Sequence, residues 1–232
     1  MLKKDLIFKS PVSKTIGIEN IRDGKFGAVL SRAGVGKTSF LVQIALTQLL
    51  CDEKILHVSL DDSMDKINLR YKEGYANLID HIGYVDPQKA VRLWEDIKPN
   101  KVGISYNDST FGTSKIFDYL KSFKKADLIL PTIIIIDGLN FDKDVTQILD
   151  ELQTLNKEFG VSFWFSMKNH REEELCEDGF PIQLENHKDR FDKAVLLQPV
   201  QDKIEAVILK DGDRTNHRCQ LDPANMMVLD EE

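Results

Sequence analysis

The chain has 232 residues, 42% of them hydrophobic and 30% charged, which suits one large α/β domain or at most two small ones with a soluble surface. Its net charge of −7 disfavours a protein that coats nucleic acid, because phosphate contacts come from clustered Lys and Arg. Cys51, Cys176 and Cys219 are odd in number, far apart and in no Cys-x-x-Cys pair, which argues against a disulfide scaffold or zinc site and for a reducing compartment.

Residues 1–20 read as a lead-in whose three-residue apolar run is too short for a signal peptide. No segment approaches the about 20 apolar residues of a membrane span, so the expected location is the cytoplasm, with no membrane partner. Phe26–Leu30 is an apolar run expected to form a buried strand, and Ser39–Leu46 is expected to be a helix. Lys54–Leu60 reads as a second strand. Ser63 to about Ile82 reads as a helix with Ser63 as its N-cap. Asp86-Pro87 opens another helix through Trp94 to Ile97, closed by Pro99-Asn100. Val102–Tyr106 is a short strand, Asn107–Ser114 a polar loop, and a helix follows to about Lys124. Thr132–Asp137 is the most hydrophobic strand. An amphipathic helix follows, with Val145, Ile148, Leu149, Leu152, Leu155 and Phe159 on one face and Gly160 as its stop. Val161–Ser166 is the next strand.

Strands that are continuously apolar and separated by helices indicate a parallel sheet covered on both faces. From Phe191 onward the pattern changes to short strands joined by turns: Ala194–Leu197, Glu205–Leu209, Arg218–Leu221 and Met226–Leu229. The expected fold is α/β: a mostly parallel twisted sheet with helices on both faces and a C-terminal antiparallel β extension. Residues 168–190, polar and poorly periodic, read as a mobile loop.

The most specific chemistry lies between the first strand and helix, at Ser31-Arg32-Ala33-Gly34-Val35-Gly36-Lys37-Thr38-Ser39. A tight glycine-rich turn feeding a helix aims backbone N–H groups at phosphate oxygens, and the helix dipole adds to the attraction. Lys37 is placed to reach the β- and γ-phosphates of a nucleotide, and the Thr38 hydroxyl to ligate Mg²⁺. Ser31 occupies a position that is normally glycine. Asp137, ending a buried strand, is expected at the carboxyl edge of the sheet near the Mg²⁺ water shell. Asp61, leaving the strand before it in sequence, is a candidate to orient or deprotonate an attacking water, while Asp61-Asp62 together also suit a helix start. No Asn-Lys-x-Asp guanine motif occurs, so ATP is the expected nucleotide.

The order of these elements resembles the RecA-like P-loop ATPases, above all the ATPase domain of DnaB-type helicases and their KaiC-like and RadA-like relatives. Ser31–Phe40, Val58-Ser59-Leu60-Asp61 with Arg70 in the next helix, Ile133–Asn140, Val161–Asn169 and the closing strands from Phe191 to Leu229 carry the resemblance. It implies one RecA-like domain over residues 1–232, ATP and Mg²⁺ as ligands, ATP hydrolysis, and a homo-oligomer coupled to a partner. It also implies that Asp61 stands for a catalytic Glu and that Lys210, with Arg214 two residues late, serves a neighbouring site in trans.

Three departures bear on rate: Asp61 is one methylene short of Glu, Met167 aligns with a γ-phosphate-sensing Gln, and the arginine is missing from its usual position. Lys168, Asn169 and His170 are the candidate substitutes for that Gln. A nucleotide-binding switch or adaptor with little hydrolysis is the alternative. A DNA-acting motor is disfavoured by the acidic loops after Asp137 and Met167, and a P-loop kinase by the β-rich C-terminus. The five histidines show no metal-ligand spacing, and Trp94 and Trp164 read as core.

Overall fold

The computed structural model describes residues 2–18, 21–22, 24–107, 109–169, 176, 180–211 and 217–229. In chain order the elements are α1 (Leu2–Lys9), α2 (Pro11–Thr15), β1 (Phe26–Ser31), α3 (Lys37–Leu50), β2 (Ile55–Ser59), α4 (Met64–Ile82), α5 (Pro87–Ile97) and β3 (Lys101–Ser105). Then follow α6 (Thr113–Lys125), β4 (Ile133–Asp137), α7 (Thr146–Phe159), β5 (Ser162–Lys168), α8 (Ile182–Glu185), β6 (Lys193–Val200), β7 (Lys203–Asp211) and β8 (Arg218–Leu221). The strands form one sheet in the order β3-β2-β4-β5-β1-β6-β7-β8. Pairing is parallel from β3 through β6 and antiparallel from β6 through β8.

The run of four isoleucines shows why both sheet faces are dry. Side chains alternate along a strand, so Ile133 and Ile135 pack with α3 and α4, while Ile134 and Ile136 pack with α6 and α7. α3 is buried from Phe40 to Leu50, polar positions included. Its Thr47 hydroxyl donates back to the Gln43 carbonyl at 2.8 Å and lies 2.7 Å from the Ser10 hydroxyl.

That contact belongs to a part of the molecule the sequence left as a lead-in. Residues 2–15 are two short helices. Ser10 caps α2 by accepting from the Val12 N–H at 3.2 Å, with Pro11 at the first helical position. Leu6, Val12, Ile16 and Ile21 are fully buried against α3 and α4.

β1 and β5 touch most closely at Gly27, which pairs with Trp164. A Cβ at Gly27 would sit 2.4 Å from the indole, whose Nε1 donates to the Ile21 carbonyl at 3.3 Å. Gly27→Ala is therefore expected to cost about 3 kcal/mol, the upper end for an overpacked core, read as a shift in the urea midpoint.

Two expectations about the C-terminal half are corrected. Met226–Leu229 is not a strand: only Val228 bridges to Leu221, and the segment turns back through Pro223–Asn225. β6 is itself parallel to β1, so the antiparallel extension begins at β7. The Asp192 carboxylate and backbone N–H clamp both sides of Phe26, at 2.9 and 2.8 Å, and fix β6 alongside β1. In the stretch expected to be a mobile loop, Lys168 belongs to β5, Phe180 and Pro181 are buried, and 182–190 contains α8 and a 3₁₀ turn. The rest of it, 170–175 and 177–179, lies outside the described residues.

Candidate nucleotide site

The glycine-rich turn between β1 and α3 follows from its backbone. Gly34 and Gly36 have φ of +80° and +117°, a region side chains resist, and Gly36 occupies the N-cap of α3 with no side-chain cap. The first N–H groups of α3 are therefore left without the side-chain acceptor that Ser, Thr or Asp would supply, at the positive end of a 14-residue helix dipole. Ser31 causes no strain in place of glycine, because it ends β1 in extended conformation without a positive φ. Its hydroxyl donates to the Arg32 carbonyl at 2.8 Å.

Lys37 folds over this turn. Its ammonium donates to the carbonyls of Ser31 and Arg32, both at 3.1 Å, and to the Ser31 hydroxyl at 3.3 Å. Burial lowers its pKa, an effect the Asp137 carboxylate opposes; Lys168 lowers it further and Asp61 opposes again. All four charges thus act on one locus.

Asp137 ends β4 directly opposite Ser59 at the end of β2, and is buried. Asp61 leaves the same edge two residues beyond β2. Its carboxylate lies against Gly138, where a Cβ would come within 2.7 Å of it, and Gly138 has a φ of +93°. The Gly138 N–H donates to the Ser166 hydroxyl at 2.8 Å, and the Leu60 N–H to the Asp137 carbonyl at 2.8 Å. Those bonds tie the ends of β2, β4 and β5 together. The result is a cavity of about 590 Å³ lined by Gly34, Lys37, Thr38, Asp61, Asp137 and Lys168 among others. A second cavity of about 340 Å³ shares Lys37 and Thr38. It runs between α3, α4 and the Pro223–Met226 turn, past Gln43, Arg70 and Asn77. The Gln43 side-chain oxygen is buried there with no hydrogen-bond partner.

Asp61 and Asp62 separate into two roles. Asp62 accepts from Lys66 at 2.6 Å and Arg70 at 3.4 Å, an ion-pair cluster at the start of α4. Asp61 faces the cavity. Met167, aligned with the sensing Gln, points into the core beneath α6 and α7, while its neighbours Ser166 and Lys168 line the cavity. Strand alternation explains this, since Phe163, Phe165 and Met167 share one face. Asn169 donates its backbone N–H to the Ser31 carbonyl at 2.9 Å, and His170 lies outside the described residues. Lys210 is not part of the cavity: its ammonium donates to the Lys188 carbonyl at 3.0 Å. Arg214 also lies outside the described residues.

Sequence reasoning did not single out His57 or Tyr71 as site residues. His57 is fully buried on β2, its Nδ1 3.0 Å from the Tyr71 hydroxyl and its Nε2 4.0 Å from Asp137 Oδ2. The available signal was the two-residue period that puts His57 and Ser59 on the face that also carries Asp137. Burial lowers the His57 pKa to about 4, against an opposing effect of Asp137. Because the folded value lies below the unfolded one, the unfolded chain takes up a proton first as pH falls. Stability from a neutral His57 is complete above about pH 6.5 and is lost toward pH 4. Unfolding in urea should show a loss on the order of 2 kcal/mol between pH 7 and pH 5 that is reduced in His57→Phe.

Among the described residues no three acidic, His or Cys side chains converge as a self-sufficient metal site. Thr38 and Asp137 instead fit a cation that takes its remaining ligands from phosphate oxygens and water, as hard Mg²⁺ does. No helix among the described residues is long and apolar enough to cross a membrane.

A parallel sheet carrying a glycine-rich phosphate turn after β1 and an acidic strand end at β4, closed by antiparallel strands, defines the RecA-like P-loop fold. No family model matches the chain, and no curated protein matches it at a significant level. Among solved structures, the ATPase domain of a DnaB-type helicase is similar, with a TM-score of 0.66 and 17% identity over 90% of this chain and 86% of that one. The chain therefore has the RecA-like fold of that ATPase domain.

Proposed function

We propose that the chain binds ATP with Mg²⁺ at this carboxyl-edge cavity and hydrolyses it slowly, as a subunit of a homo-oligomer whose nucleotide state is coupled to a protein partner. The observation that carries the reading is the meeting of Lys37, Thr38, Asp61 and Asp137 around one cavity of about 590 Å³, from three separate strand ends. The N–H groups of the turn and of the first turn of α3 would hold the phosphates. Lys37 would exchange its carbonyl partners for phosphate oxygens, a stronger charge-assisted contact. Mg²⁺ bound by Thr38 and, through water, Asp137 would neutralise charge on the phosphates. Asp61 would orient the attacking water and accept its proton. Lys168 would supply a second cation to the transferred group. The adjoining cavity of about 340 Å³ suits the nucleoside, where the unpartnered Gln43 oxygen is an acceptor available to an exocyclic amine of the base.

Slow turnover is inferred from the shorter reach of Asp61 and from Met167, which faces the core and offers nothing to a γ-phosphate. That same observation favours the second reading, a nucleotide-dependent switch or adaptor with little hydrolysis. Turnover per chain, measured against protein concentration for wild type and Lys210→Ala, separates the two. The oligomeric ATPase predicts a rate that rises with concentration and falls severalfold without Lys210. A rate near zero at every concentration, with ATP still bound, supports the switch.

A further inference from the structure

Every polar group around the cavity has an evident task except one pair beneath it. His57 and Tyr71 are both fully buried, on β2 and α4, with their rings packed edge to face at 5.7 Å. Tyr71 is kept protonated by burial and by the Asp137 charge, so its hydroxyl has a proton to give. The His57 ring is neutral and has two tautomers. If Nδ1 carried the proton, the Nε2 lone pair would face the Asp137 carboxylate in a dry interior, which is repulsive. If Tyr71 donates to Nδ1, the proton sits on Nε2 and points toward Asp137 Oδ2, 4.0 Å away. His57 Nε2 is buried and makes no hydrogen bond. At 4.0 Å the contact is electrostatic, and a shift of about 1 Å by either side chain would make it a hydrogen bond.

We propose that Tyr71 and His57 form a relay that fixes the orientation of the Asp137 carboxylate from below, making His57 a positioning residue for the magnesium-side aspartate. The inference rests on the nucleotide-site reading for its effect on Mg²⁺, though not for its geometry. A carboxylate that must present one oxygen to a metal's water shell gains from a fixed N–H on its other oxygen. Such supporting hydrogen bonds orient the acid and commonly change metal affinity by about 10- to 100-fold. The Tyr71 hydroxyl sets the tautomer, and Tyr71 itself does not touch the ligand cavity.

Two measurements test this. In the nucleotide-free protein, ¹⁵N-histidine NMR should show His57 neutral with its proton on Nε2, and Tyr71→Phe should introduce the other tautomer. A proton on Nδ1 in wild type would overturn the relay whether or not the chain binds ATP. The second measurement is the Mg²⁺ concentration that half-saturates the metal-dependent part of ATP binding. His57→Phe should raise it about tenfold without changing ATP affinity in EDTA, and His57→Gln, which restores an N–H near Nε2, should bring it back within about threefold. If His57→Phe does not fold, Tyr71→Phe carries the same test with a smaller change in packing. An unchanged Mg²⁺ dependence in the folded variants, with wild type showing Mg²⁺-dependent binding, would overturn the proposal. Wild type that binds no ATP would overturn the nucleotide-site reading instead, and the tautomer would still decide the geometry.

Discussion

Asp61→Asn should leave ATP affinity within about threefold of wild type and lower turnover by about 10²- to 10⁴-fold, the range for loss of a positioned general base. The substitution keeps size and shape, so packing against Gly138 survives, while the proton-accepting oxygen is lost. Asp62→Asn is the natural control. Asp62 is engaged with Lys66 and Arg70, so its loss should disturb the start of α4 far more than the reaction. Single-turnover hydrolysis alongside equilibrium binding distinguishes the two. Equal effects from both substitutions would mean that the acidic pair acts only as a helix start.

Lys37→Ala should weaken ATP binding by about 100-fold, corresponding to about 3 kcal/mol for lost charge-assisted contacts to two phosphates. Folding stability should change little. The Lys37 ammonium is bonded to carbonyls of its own loop, and those of Ser31 and Arg32 stay close to water at the cavity mouth. An effect confined to affinity, with an unchanged urea midpoint, is the signature expected of a ligand-binding lysine. A large loss of stability with unchanged affinity would make Lys37 a structural pin for the loop.

Much of this was legible in the residues. The central strands announced themselves by continuous apolar runs, and Gly34, Gly36, Lys37 and Thr38 by a spacing that serves phosphate binding. Asp137 could be located because a buried strand that ends in a carboxylate places it at the sheet edge. The N-terminal helices were less legible because they are short and bury only a few residues, Leu6, Val12, Ile16 and Ile21, so no helical period builds up. Ser10-Pro11 was nonetheless a cap signal. Met226–Leu229 reads as β in composition, yet the Asp222-Pro223 turn folds it over Gly36, where a Cβ would lie 3.0 Å from the Met226 sulfur. The distinct roles of Asp61 and Asp62 depend on which way each side chain leaves the strand end, and adjacent residues of one type carry no such information. His57 was hidden for the same reason: its partners, Tyr71 and Asp137, are 14 and 80 residues away.

The central claim is that this loop, in this fold, is a nucleotide site. A calorimetric titration of the purified wild-type chain with ATP in the presence of Mg²⁺ tests it most directly. Saturable binding at one site per chain, weakened when Mg²⁺ is removed, is the predicted result. Absence of binding at millimolar ATP by a folded protein would contradict the account.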